Sequence, residues 1–432
     1  MRRLRGWKSM LHDAVDRVTE LVAEGHESTA RSVMKVLEAV PPLAEPARAV
    51  DGVRRVITGG TLATVRAVNR GVEAITDAGL DLAAGDPPPE APLVAMRSDV
   101  MKSWPWIGDA ALGVVNGVLG DTLHARGNGL DLGMWLRLGD AFLPEDPARL
   151  REALAERGLG RRAAVFVHGL AATEWSWCLA AEAYHGDPGA CFATLLNANL
   201  GISPIFARYN SGRHVSENGR LLAAALSRLV EASPDLEELT LFGHSMGGLV
   251  VRSACHQASL AGAPWVPLVE HVFCFGSPHH GAPLEKLGHV LTAVLGAIDT
   301  PGTRIPARIL EGRSAGIKDL RHGSLVDEDW QGRDLDALRD PGARDIPLLD
   351  HVTYHFISAT VTQDPDHPLG KIVGDLMVRV PSATGERLSH AVFPVETSRF
   401  GGVLHHQLQN HPAVYAQVEA ALGGRGRDQN LP

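Results

Sequence analysis

One stretch limits what this chain can fold into more than any other: Leu239-Thr240-Leu241-Phe242-Gly243-His244-Ser245-Met246-Gly247-Gly248-Leu249-Val250-Val251. Leu239 to Phe242 is an apolar run long enough for a buried strand, and it breaks at Gly243. From Gly247 the apolar residues Leu249, Val250 and Ala254 recur at helical spacing. A glycine on each side of Ser245 suits a sharp strand-to-helix turn, where the crowded backbone leaves no room for a side chain. Such a turn lifts a serine hydroxyl clear of a sheet. It also leaves the Met246 N–H at a helix N-terminus, where it has no partner within the helix. A serine hydroxyl is a poor nucleophile unless a base takes its proton, so an imidazole and an orienting carboxylate are expected elsewhere in the chain.

With 432 residues, 45% hydrophobic and 21% charged, there is ample material for a packed core in one large domain or several smaller ones. The net charge of -9 argues against a nucleic-acid partner, which calls for a basic surface. Four cysteines (Cys178, Cys191, Cys255 and Cys274) have neither the number nor the spacing of a disulfide scaffold or a zinc site. No signal-peptide pattern and no charge-free apolar run of membrane-spanning length is seen, so a cytoplasmic protein is expected, with loose membrane association open.

Residues 1–90 read as a helical extension. Leu11, Val15, Val18, Leu21 and Val22 make one amphipathic helix, 29–40 a second, and 46–83 a longer helical stretch. Their apolar stripe is expected to pack on the main domain or on another subunit, with peripheral membrane contact as the alternative. The proline-rich stretch 85–92 is the clearest linker. Residues 91–432 then form the main domain. An apolar helix with small residues lies between Trp104 and Gly127, a sheet-edge strand at 130–138, and a polar helix at 146–157. The run Arg162 to Val167 is a strand covered on both faces and leads into His168-Gly169-Leu170. That turn is where a second oxyanion donor is expected: the Leu170 N–H, or a neighbour one residue away. Ile205–Tyr209 is a strand, 210–218 a polar turn, 219–232 a helix, and 268–275 another strand ending in Gly276-Ser277-Pro278-His279-His280-Gly281. This alternation gives an α/β fold, a mostly parallel sheet with helices on both faces. The alternation lapses over 284–350, a lid-like insertion or a surface loop, with a helical stripe from Leu284 to Ile298. Tyr354–Ala359 is read as the last strand and 412–422 as a closing helix.

The acid should follow a late strand, and the histidine should follow the acid. Asp375 in its tight turn and Asp364 near the strand end compete on position, while Asp366 looks like turn chemistry. His405 and His406 both precede the closing helix. The pairs His279-His280 and His405-His406 lack metal-ligand spacing.

Val167-His168-Gly169-Leu170, the elbow Gly243–Val250, Gly276–Gly281, Arg208–Gly212 and Ser216–Arg220 together resemble the α/β-hydrolase superfamily. More narrowly, they resemble its bacterial lipase/esterase branch related to GPI inositol-deacylase-like hydrolases, over about residues 160–420. The resemblance implies Asp375 as the acid, although Leu376 stands where those lipases often have a second glycine. It implies His405 as the base, six positions before His411-Pro412-Ala413-Val414-Tyr415. Catalysis would then rest on Ser245, Asp375 and His405, with an oxyanion hole from Met246 and Leu170 and substrate contacts at His168, Gly169 and His244. No cofactor and no metal is required. The substrate is expected to be a small-molecule or lipid ester. The alternatives are a thioesterase, a phospholipase, or a non-catalytic hydrolase-fold binding protein.

Overall fold

The computed structural model describes Ser9 and residues 104–282, 314–334, 343–367, 374–375, 378–385 and 395–424. The chain divides into two compact units, residues 1–90 with 127–130, and residues 91–126 with 131–432. The expected helices and linker of residues 10–92 and the helical stripe 284–298 lie outside the described residues.

The centre of the second unit is an eight-stranded sheet: β1 (Met134–Leu138), β2 (Ala141–Phe142), β3 (Arg162–Val167), β4 (Ser203–Tyr209), β5 (Glu238–His244), β6 (Val269–Phe275), β7 (Thr353–Thr360) and β8 (Val395–Gly401). The order is β2-β1-β4-β3-β5-β6-β7-β8. β1 runs antiparallel to β2 and β4, and every other neighbouring pair is parallel. The continuous apolar runs follow from burial on both faces. Ala163, Val165 and Val167 of β3 enter one core, Ala164 and Phe166 the other. Helices α2 (Pro147–Glu156), α4 (Val215–Ala232) and α5 (Met246–Ala261) cover the first face, and α3 (Phe192–Leu200) and α7 (Pro412–Gly423) the second. Of the remaining helices, α1 (Trp104–Ala125) precedes this scheme and α6 (Ala315–His322) interrupts it. No helix among the described residues is long and apolar enough to cross a membrane.

In the second core, aromatic rings stack from strand to strand along the parallel register. Phe166 lies 4.6 Å from Phe242, Phe242 4.8 Å from Phe273, and Phe273 4.1 Å from the imidazole of His355, all within 8° of parallel. His355 also meets His271 at 3.1 Å.

α1 comes close to the sheet through glycines four residues apart. A Cβ on Gly117 would lie 2.6 Å from the Cα of Ala171, and one on Gly113 would lie 2.8 Å from the carbonyl carbon of Ala172. Backbone therefore meets backbone along the turn after β3. Beside it sits a buried ionic group. Arg208 of β4 forks onto Asp109 of α1 (3.1 and 2.9 Å) and donates through Nε to Glu174 (2.7 Å), while Arg137 of β1 donates to Glu174 (2.7 Å). All four are essentially inaccessible to water. Burial alone would raise the Glu174 carboxyl, but Arg208 and Arg137 pull it down to about 2. Two cations and two anions balance, and that balance lets the group persist without water.

Two sequence expectations need correction. Tyr354–Ala359 is not the last strand, because β8 follows it and pairs with β7 over seven residues. Val395 to Ser398 are mostly exposed and Val-Glu-Thr-Ser-Arg-Phe-Gly carries little apolar signal, since main-chain bonds to β7 define an edge strand. The helix expected from Gly219 starts at Val215. The Val215 N–H is capped by the carboxylate of Asp319, 104 residues later in the chain (2.7 Å), a partner no local pattern announces. Within 284–350, the described residues meet α4 and α5: Ser253 donates to the Leu325 carbonyl (2.6 Å), and Ser216 and Arg220 hold Asp327. The stretches 284–313 and 335–342 lie outside the described residues. The sequence reading marks no element at α3.

Glu174→Gln leaves two buried guanidinium groups facing a neutral amide and should destabilise the fold by about 3–5 kcal/mol in urea denaturation. Burial first, and then His271, push His355 down to about 4, and burial does the same to His168. Both stay neutral in the fold, whereas the unfolded chain binds protons near 6.5. The unfolded state therefore holds more protons between these values, and stability should fall as pH drops from 6.5 toward 4. His355→Phe, which keeps the ring stack, should make that fall shallower, as read from urea midpoints across the range.

Candidate active site

β5 ends at His244 and α5 begins at Met246. Between them Ser245 sits at φ 53° and ψ -122°, a conformation that L residues avoid at a cost of about 1–3 kcal/mol. The surroundings enforce it. The Ser245 N–H donates to the carbonyl of Phe275 at 2.8 Å, carrying the β5–β6 pairing one residue past the strand. A Cβ on Gly243 would lie 2.4 Å from the Cα of Gly248, and one on Gly247 would lie 2.2 Å from the Val167 carbonyl oxygen. Both flanking glycines are thus steric requirements, met by backbone that cannot yield. As the first residue of α5, Met246 has no acceptor for its N–H within the helix.

The acid and the base come from two further turns. Gly374 (φ 65°) starts the turn that carries Asp375, whose Oδ1 accepts the Val378 N–H at 2.8 Å. Oδ2 lies 2.6 Å from Nδ1 of His405, which stands in the turn before α7. Both side chains are buried. An ionised carboxylate can only accept, so Nδ1 carries the proton and Nε2 presents its lone pair. That Nε2 is buried without a hydrogen-bond partner among the described residues. Gly276 brings this pair to the serine. Its N–H donates to Ile357 (2.8 Å), one residue beyond the Phe275 carbonyl that holds Ser245. A Cβ on Gly276 (φ 58°) would stand 2.9 Å from Cε1 and Nδ1 of His405 and 3.2 Å from Oδ2 of Asp375.

The competing acids lie elsewhere. Asp364 is exposed and caps its own turn by accepting the Asp366 N–H (2.9 Å), and Asp366 pairs with Arg399 (2.6 Å). His406, beside His405, is half-buried, and burial lowers its pKa. No group of three or more His, Cys, Asp or Glu among the described residues has the geometry of a metal site.

His244 and His168 frame the serine from inside the protein. Nε2 of His244 donates to the His405 carbonyl at 3.1 Å, with the two rings 4.7 Å apart, and burial holds its pKa well below the ordinary value. The His168 ring stacks on Tyr209 at 4.3 Å. Its Nδ1 donates to the Gly169 carbonyl (2.8 Å) and its Nε2 accepts the Tyr209 N–H (3.3 Å). With both nitrogens committed, this ring shapes the turn after β3. Gly169 presses that turn on the elbow: its Cβ would lie 3.2 Å from Cβ of Ser245. Of the amides in the turn, that of Ala171 (φ 58°) is spent on Ser211 Oγ at 3.0 Å, and Leu170 precedes it. Sequence reading missed Gly276, Ser211 and Tyr209 as site-shaping residues. Each sits in a segment the resemblance had flagged, without a role.

The short Asp375–His405 bond has a spectroscopic signature. A far-downfield imidazole N–H proton resonance should be present in the wild type and in Asp364→Asn, and absent in Asp375→Asn.

Residues 207–331 match the family model of the PGAP1-like alpha/beta domain. No curated protein matches the chain. Similar solved structures include the mature lipase BlEst2 of Bacillus licheniformis, at 16% identity and TM-score 0.38, covering 61% of this chain and 92% of that one. Another is RedJ, a thioesterase of the prodiginine biosynthetic pathway of Streptomyces coelicolor, at 20% identity and TM-score 0.37, covering 65% and 92%. An esterase of Pyrobaculum calidifontis matches at 14% identity and TM-score 0.38, covering 68% and 81%. By its strand order and its strand–serine–helix turn, the chain has the α/β-hydrolase fold.

Proposed function

We propose that this chain is a serine hydrolase of carboxylic esters that works through an acyl-enzyme. One observation carries the reading. A buried imidazole, oriented by a carboxylate at 2.6 Å and unpartnered at Nε2 among the described residues, lies against the same glycine turn that adjoins the strained serine. Ser245 Oγ attacks the ester carbonyl carbon as its proton passes to Nε2 of His405, and the carbonyl electron pair moves onto oxygen. The N–H groups of Met246 and Leu170 receive that oxyanion, each such donor being worth about 2.7–4 kcal/mol of barrier. Asp375 holds the tautomer and stabilises the imidazolium. On collapse the alkoxide leaves with the proton from Nε2. Water, deprotonated by the same nitrogen, then attacks the acyl-serine and frees the acid. In this reading His168 and His244 position the turns that carry Leu170 and His405, and Gly169 gives the backbone room beside Ser245.

The purified chain should hydrolyse p-nitrophenyl esters and be labelled by a fluorophosphonate. Ser245→Ala should lose about 10⁴-fold or more of that activity and all labelling, while its thermal unfolding stays cooperative. Unchanged turnover in this variant would refute the proposal. A panel of esters of increasing acyl length, with acyl thioesters and phospholipids beside them, identifies the substrate class.

A further inference from the structure

Two turns below the elbow serine, α5 carries Arg252, and its surroundings do not account for its charge. The side chain is 2% exposed. Among the described residues its Nη1 donates to Nδ1 of His279 at 3.1 Å, while Nε and Nη2 have no hydrogen-bond partner. Arginine can only donate, so Nδ1 of His279 is the acceptor and the histidine proton sits on Nε2. That Nε2 is also buried and has no acceptor among the described residues. The Nε–Nη2 edge of the cation and, on the far side of the imidazole, the Nε2–H of His279 are thus buried donors without an acceptor among the described residues. Nε and Nη2 form one edge of the guanidinium, the fork with which arginine grips anions.

Among the described residues, no ionised acid is buried beside this guanidinium. Burial pushes the neighbouring thiols Cys255 and Cys274 up to about 12 and the phenol of Tyr354 well above its ordinary range, so all three are neutral. Asp345, the carboxylate whose field reaches Arg252, is exposed at the surface. Leaving a charge buried and uncompensated costs several kcal/mol.

We propose that the Nε–Nη2 edge of Arg252 forms a buried site for a single halide-sized monovalent anion. The charge follows from one guanidinium facing a neutral imidazole. The size follows from burial: with Arg252 almost wholly inaccessible to water, only a few atoms can share that edge. The site has a structural consequence. The His279 N–H is held by the carbonyls of Ser277 (2.9 Å) and Ser382 (3.1 Å), in the turn that begins at Gly276. By fixing the guanidinium whose Nη1 holds His279, the anion would steady the contact between α5 and the turn that backs His405 and Asp375.

Bromide is the probe. Titrated against gluconate at constant ionic strength, it should raise the melting temperature of the full-length chain along a saturating curve, as expected for a ligand of the folded state. The volume-conserving Arg252→Met should give a flat response. Crystals of the wild type grown in sodium bromide should show an anomalous peak within hydrogen-bond distance of Nε and Nη2. An ordered water at that position in the bromide crystals overturns the proposal, as does a bromide response that survives in Arg252→Met. If that variant does not fold, the anomalous map of the wild type decides alone.

Discussion

A single main-chain hydrogen bond, from the N–H of Ser245 to the carbonyl of Phe275, sets the geometry on which the rest of the site depends. It extends a parallel strand pair by one residue, while the next peptide must already turn into α5. An L residue satisfies both demands only at positive φ, a conformation that relaxes unless everything around it is fixed. Here everything is fixed. Gly243, Gly247 and Gly276 bring main chain against main chain or against the imidazole, so no side-chain rotation can relieve the crowding. The strain at Ser245 is the cost of turning the chain from the end of β5 straight into α5.

The same shortage of space explains where polar groups are admitted to the interior. Apolar packing on both faces leaves little reason to bury charge, yet charge is buried wherever loops must be fixed relative to the sheet. Asp109, Arg137, Glu174 and Arg208 join α1, two strands and the segment that follows the β3 turn. Their bonds are directional, unlike dispersion contacts, so they fix position as well as proximity. Gly113 and Gly117 complete the arrangement by letting α1 settle directly on the backbone of that turn. His168, stacked on Tyr209 and bonded at both nitrogens, holds the turn from below.

Much of this was legible in the sequence, for reasons that are themselves physical. β3, β5 and β6 are covered on both faces, so burial writes them as unbroken apolar runs, and the glycines around Ser245 record a steric demand that is local to the chain. The parts that stayed hidden depend on distant partners. The start of α4 is set by Asp319, β8 by the main chain of β7, and the importance of Gly276 by side chains about 100 and 130 residues later. Position alone left Asp375 level with Asp364, because both follow β7. Resemblance separated them, and the structure places only Asp375 against His405. The buried cation of Arg252 was invisible for a different reason. An arginine on a helix next to apolar residues reads as a snorkelling side chain until its burial is known.

The aromatic stack that crosses β3, β5, β6 and β7 bears on how the sheet finds its alignment. A slip of one residue in any of these strands would send its ring into the opposite layer, where Leu239, Leu241, Val269 and Val272 now fill the space. The error would be felt at once by two flanking strands, since each inner ring touches one on either side. Parallel strands have no tight hairpin to set their offset, and in this chain a column of flat side chains serves that purpose.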